Sequence, residues 1–185
     1  HAERAQVLEE ANSQLEQSNA TLEQLGAIGR DITGNLDAIA IFTALDRHVH
    51  ALLDANTFWI YRLEADGQML KMVFGVEAGQ GAQSHTIRLD DPESHAGRCA
   101  RERQEIIADL APGQRVTVPS TLETLSLMCA PLQVGERLLG VMTIQSSKPH
   151  AYAEREVAIF RTLCAYGAIA LANDERTREL REKNK

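Results

Sequence analysis

Long apolar runs are missing from the chain: its apolar stretches are short and broken by charge, well under the roughly 20 residues that a membrane-spanning helix needs. No signal peptide opens it, so direct membrane insertion is not expected. A cationic excess is missing too. The 19 Lys and Arg stand against 26 Asp and Glu, a formal charge of −7, which opposes the dense positive field that phosphate backbones require. Aromatic residues make up only 4% of the chain and form no basic, aromatic platform for single strands; nucleic acid is not an expected partner. Cysteine is scarce and odd in number: Cys99, Cys129 and Cys164 lie far apart with no Cys-x-x-Cys pair, which indicates neither a disulfide framework nor a zinc site. A reducing, cytoplasmic setting is the expectation.

What is present suits one core, because apolar residues are spread evenly from about 32 to 171 of the 185 positions. The chain starts at His1 and ends in a charged helical pattern at Lys185, so the natural protein is expected to continue at both ends. Within the first 33 residues, Leu8, Leu15 and Leu22 recur at a strict seven-residue spacing with Glu9, Glu16 and Glu23 beside them, a coiled-coil signature. Ala11, Ser18 and Leu25 compete with Asn12, Asn19 and Gly26 for the second core row, and both registers stay open. The asparagine row would favour a parallel dimer. The alternative is a solvated amphipathic helix. Gly26, Gly29 and Gly34 weaken this helix, and Asn35 is expected to cap a new one.

From 36 to 54, Leu36, Ile39, Phe42, Leu45, Val49 and Leu52 recur at helical spacing. The period then changes to that of strands, with Thr57 to Arg62, a hairpin at Ala65-Asp66-Gly67-Gln68, and Met69 to Val76. Gly75, Gly79 and Gly81 mark a loop, and Ser84 to Leu89 alternates as a third strand. A helix entry at Asp90 to Ser94 precedes a short helix over 95–103. A brief strand over 105–109 is followed by a loop reaching to about Glu123, then by two strands, 125–134 and 138–145, joined by Gly135-Glu136-Arg137. A final helix over 153–172 continues into a polar tail over 173–185.

This layout resembles a GAF domain over about residues 22–175. The most specific stretch is Cys129-Ala130-Pro131-Leu132-Gln133-Val134-Gly135-Glu136-Arg137-Leu138-Leu139-Gly140-Val141-Met142-Thr143-Ile144, similar to the family's apolar-Pro-Leu strand, turn and Gly-Val-apolar strand. Trp59-Ile60-Tyr61-Arg62-Leu63 and Tyr152-Ala153-Glu154-Arg155-Glu156-Val157 are similar to its first strand and last helix entry. The resemblance implies an α+β fold: an antiparallel sheet of about six strands with the first and last helices on one face, a domain over 34–172 flanked by connector helices. It also implies a small-molecule pocket on the other face. There Trp59 and Tyr61 form the floor, Tyr61 matching a pocket tyrosine of bilin-binding relatives. Met128, Ala130, Met142 and Ile144, with His95 and Cys99 of the short helix, are expected to add wall. The competing reading is that these residues simply fill the interior.

The residues specify no cofactor. The Asp-Ile-Pro signature of bilin-binding relatives and the Asn-Lys-x-x-Phe-Asp-Glu signature of cyclic-nucleotide-binding ones are absent, and His48 and His50 are spaced wrongly to share a metal. Arg98, Arg101 and Arg103 offer an anion site or a solvated face. Free methionine sulfoxide reductases are GAF proteins whose chemistry needs a nucleophilic cysteine and a resolving partner. Cys99 stands near one family position, but Cys129 lies inside an apolar strand. The expectation is a non-catalytic sensory module. It dimerises through Leu8, Leu15, Leu22 and Leu25 and relays a small-molecule or conformational signal to a C-terminal output domain, a diguanylate cyclase or else a histidine kinase. A ligand-free dimerisation spacer is the alternative.

Overall fold

The computed structural model describes residues 2–33, 37–112 and 123–184. The chain divides into two units, His1–Gly34 and Asn35–Lys185. The first is one helix, α1 (Ala2–Thr33), which runs unbroken through Gly26 and Gly29. Those glycines are therefore tolerated, each at a cost of about 1 kcal/mol relative to Ala. The expected break at Gly34 and the cap at Asn35 fall outside the described residues. Leu8, Leu15 and Leu22 are 64%, 59% and 64% exposed, and Leu25 is half-buried.

In the second unit α2 (Ala38–Leu52) buries Ile41, Phe42, Leu45 and Val49 along one stripe. Its cap is Asp37, whose carboxylate accepts the Ile39 N–H at 3.3 Å. Among the described residues seven antiparallel strands follow: β1 (Thr57–Leu63), β2 (Met69–Glu77), β3 (Gln80–Gly81), β4 (Thr86–Arg88), β5 (Ile106–Asp109), β6 (Ser126–Val134) and β7 (Arg137–Ser146). Their order is β3-β2-β1-β7-β6-β5, with β4 also on β2. The expected loop at Gly75 to Gly81 is instead the end of β2 and the start of β3, turned by Ala78 and Gly79 at φ 51° and 77°. Central strands β1 and β7 are joined closely at Gly140, where an added Cβ would lie 1.9 Å from the Tyr61 carbonyl oxygen. The loop expected up to Glu123 falls over 113–122, outside the described residues.

Two helices remain. α3 (His95–Glu102) starts on Ser94, whose hydroxyl accepts the Gly97 N–H at 3.0 Å, and ends on Arg103 in the left-handed region. α4 (Glu154–Lys183) spans 30 residues, about 45 Å. Its first turn is held by the Glu156 carboxylate, which accepts the Ala153 N–H at 3.0 Å. It buries Val157, Phe160, Leu163, Cys164, Ala168 and Leu171 and is then exposed from Arg176 onward. α2 and α4 pack on each other and on one sheet face, where Phe74 stacks 5.8 Å from both Phe42 and Phe58. α3 covers the other face, over β6 and β7. The chain is thus an α+β fold with an antiparallel sheet and helices on both sides.

Candidate functional site

Alternation on β1 sends Trp59 and Tyr61 to the α3 face and Phe58, Ile60 and Arg62 to the α2/α4 face. Trp59 pairs with Thr143 on β7, and Thr143 pairs with Cys129 on β6. Directly opposed residues share a face, so the odd-numbered residues of β6 up to Pro131 and of β7 from Val141 join the Trp59 side, and beyond the register shift at Leu132/Gln133 it is Leu138 that joins it. Trp59, Tyr61, Leu70, Met72, Ile87, Cys99 and Cys129 accordingly form one buried cluster.

The register separates the expected wall residues. Cys99 reaches this cluster from α3, and His95 starts the same helix, half-buried. Met128, Ala130, Met142 and Ile144 do not join them, because their even numbers place them with Phe58 and Ile60 under α4. Met142 Sδ lies 3.7 Å from the Cys164 thiol, and Ala130 lines a groove with Cys164, Ala165 and Ala168. The assignment of these four to the Trp59 pocket is corrected.

A residue that sequence reasoning missed completes the site. β3 pairs with β2 at Val76 and Glu77, whereas β4 pairs with it at Met69 to Lys71, so residues 82–85 cross in between as a strap. It is pinned at three points: Ala82 N–H donates to Gly75 O at 2.9 Å, Met72 N–H to His85 O at 2.9 Å, and Ser84 Oγ to Met72 O at 2.8 Å. His85 thereby comes edge-on to Trp59 and Tyr61, 5.4 Å from each, and its Nε2 lies 2.8 Å from the Tyr61 hydroxyl. Burial holds the His85 imidazole below its ordinary range and pushes the Tyr61 phenol well above its own. Between strap and sheet lies a recess of about 340 Å³ lined by Trp59, Glu77, Ala82, Gln83, Ser84 and His85. The sequence signal for His85 was its parity with Ile87, which the alternation over 84–89 turns inward.

Neither expected cysteine is poised for thiolate chemistry. Cys99 and Cys129 are buried, and burial pushes the Cys99 thiol to about 12 and the Cys129 thiol well above its ordinary value. The arginine run is partly structural: Arg101 donates to the carbonyls of Leu89 and Asp91, and Arg103 to that of Glu136.

An antiparallel sheet with α2 and α4 on one face and the short helix α3 over an aromatic face on the other defines an α+β fold class. Residues 38–172 match the GAF domain family profile, and the chain belongs to that family. No curated protein matches the chain. Among solved structures it is similar to the GAF domain of a phosphoenolpyruvate-protein phosphotransferase from Coxiella burnetii, with TM-score 0.72 and 16% identity over 86% of this chain and 96% of that one. It is also similar to the GAF domain of a two-component sensor histidine kinase from Bacillus halodurans, with TM-score 0.65 and 15% identity over 77% of this chain and 99% of that one. A third is the free methionine-R-sulfoxide reductase from Neisseria meningitidis, solved with its substrate, with TM-score 0.70 and 14% identity over 87% of this chain and 93% of that one. At these identities the likeness is one of fold.

Proposed function

We propose that this chain is a sensory GAF domain that holds a small molecule in the Trp59 recess and relays its binding through α4 to a C-terminal output domain. The observation that carries the reading is a pair of neighbours on β1. Tyr61 faces the recess side and meets His85, while Arg62, the next residue, faces α4 and pairs with Asp174 at 3.7 Å. Arg137 at the start of β7 pairs with Glu175, so β1, which lines the recess, and its neighbour β7 both grip α4 where it leaves the core. Such half-exposed pairs contribute about 0 to 1 kcal/mol each, weak enough to be exchanged between two helix settings. A ligand drives the exchange only if it binds the two settings with different affinity.

The output is an enzyme domain of diguanylate cyclase or, second, histidine kinase type, and the working unit is a parallel homodimer. Exposed Leu8, Leu15 and Leu22 at heptad spacing support the dimer, with Leu25 joining in one register. A catalytic reading as a sulfoxide reductase is disfavoured by the buried, high-pKa thiols. The second reading, a ligand-free dimerisation spacer, is favoured by the near-complete burial of Trp59 and Tyr61. Light scattering at tens of micromolar, on the order of ordinary dimer affinities, tests the dimer. The unmutated chain is expected at twice its mass and Leu15→Glu with Leu22→Glu at one. A monomeric unmutated chain rejects the parallel relay, and a mutant that stays dimeric transfers the interface to the domain helices.

A further inference from the structure

The Arg62 side chain is only 19% exposed, yet its guanidinium is held loosely. Among the described residues Nε has no partner and is closed to solvent, and the terminal nitrogens reach the carboxylates of Glu64 and Asp174 only at 3.5 and 3.7 Å. A charged N–H to carboxylate hydrogen bond closes to about 2.7 to 2.9 Å, so neither carboxylate satisfies the fork. Arg62 lines a cleft of about 300 Å³ between the β1–β2 turn, the start of β7 and α4, a volume at the small end of ligand sites. Leu63, Leu138, Leu139 and Leu171 give this cleft an apolar wall, and it shares no lining residue with the Trp59 recess.

The charges there are paired unevenly. Arg62, Arg137 and Arg178 line the cleft with Glu64 and Glu175. Arg137 is matched by Glu175, and Arg62 is shared by Glu64 and Asp174. Among the described residues Arg178 pairs with no carboxylate. Asp174 is not a lining residue, and with its side chain 32% exposed it can turn to water at little cost. Once it does, three cations face two carboxylates. A free carboxylate is not tethered to the helix, so it can close on Arg62 in the two-pronged geometry that Asp174 misses, with Arg178 as a second cation.

We propose that this cleft binds a small carboxylate with a short apolar body, its head on Arg62 and Arg178 in place of Asp174 and its body against the leucines. Occupancy releases one of the two pairs that grip α4 where it leaves the core. The site is a second one, and it stands whether or not the Trp59 recess is occupied. Calorimetric titration of the full chain with hexanoate, hexyl phosphate, hexylamine and hexanol varies the head at constant tail. Hexanoate is expected to bind saturably and about tenfold or more tightly than hexylamine or hexanol. Arg178→Gln, which breaks no ion pair, should weaken it about three- to tenfold. Asp174→Asn should tighten it about threefold or more, whereas Glu182→Gln, the same change of charge on the exposed tail, should not. Hexyl phosphate binding as tightly as hexanoate overturns the carboxylate class, and hexanol doing so overturns the charged head. Hexanoate affinity unmoved by Asp174→Asn overturns the displacement. Binding lost in Trp59→Phe but kept in Arg178→Gln puts the occupant in the recess and overturns the cleft. No saturable binding of hexanoate overturns the site and leaves the recess reading as it was.

Discussion

The Tyr61 hydroxyl and the His85 imidazole meet at 2.8 Å across a turn of chain that separates them by 24 residues, and the bond ties a central strand to the strap over the recess. With Nδ1–H directed at the Gln83 carbonyl, Nε2 accepts from the phenol. This pairing needs neutral histidine. Protonation would give Nε2 a hydrogen of its own and convert the phenol from donor to acceptor.

Stability should therefore fall as pH is lowered below the ordinary histidine value of 6.5, since burial depresses His85, and likewise His95. The unfolded chain takes up protons in that window while the folded chain lags, so stability is lost as pH falls from 6.5 toward the depressed folded values, at up to about 1.4 kcal/mol per pH unit per proton. Asp54 and Glu105, lowered from 3.8 and 4.5 by Lys148 and Arg161, act in a separate window below those values. Urea midpoints at pH 7.5 and 5.5 measure the effect, and His85→Phe should flatten the slope. A wild-type midpoint that is equal or higher at the acid end would contradict it.

Trp59→Ala should cost about 3 to 5 kcal/mol, because the side chain is 1% exposed and its removal leaves a cavity. Trp59→Phe keeps most of the ring and should cost less than half as much. Chemical denaturation of the two variants gives the comparison, and equal losses would show that ring volume is not what matters there.

How much of this was legible from sequence depended on whether a strand had one buried face or two. On β1 the alternation separated Trp59 and Tyr61 from Phe58 and Ile60, and the sheet keeps that division. On β6, Leu127 to Ala130 are buried on both faces, so hydrophobicity could not say which parity joined Trp59. The answer lay in pairing: Trp59 opposite Thr143, and a register shift between Leu132 and Gln133 that places Pro131 opposite Val141. Met128, Ala130, Met142 and Ile144 were misplaced for that reason. The hairpin at Gly135, with φ 62°, and the capping pattern before α3 were local signals and were readable. The strap was not, because its geometry follows from β3 and β4 sharing one edge of β2.

Gly140→Ala should be among the most damaging single substitutions. Its Cβ would lie 1.9 Å from the Tyr61 carbonyl oxygen and 2.9 Å from Leu171 Cδ1, and the first of these is backbone that cannot move without parting β1 from β7. A loss of about 3 kcal/mol or more is expected. A thermal midpoint within error of the unmutated chain would show that the two strands are not so close.

Native protein should be nearly inert to Ellman's reagent, with all three cysteines reacting only after unfolding, because each is buried and burial raises each thiol. Fast labelling of Cys99 in folded protein, together with thiol-dependent reduction of free methionine sulfoxide, would restore the enzyme reading.

A dimeric sensor occupied by a small molecule makes two demands, and native mass spectrometry of the chain purified from its own host tests both in one spectrum. The expected result is a homodimer carrying a small non-protein mass that is shed on denaturation and is absent from a Trp59→Ala preparation that still folds. A bare dimer in every preparation would contradict the sensor and leave a dimerisation spacer, and a bare monomer would contradict both.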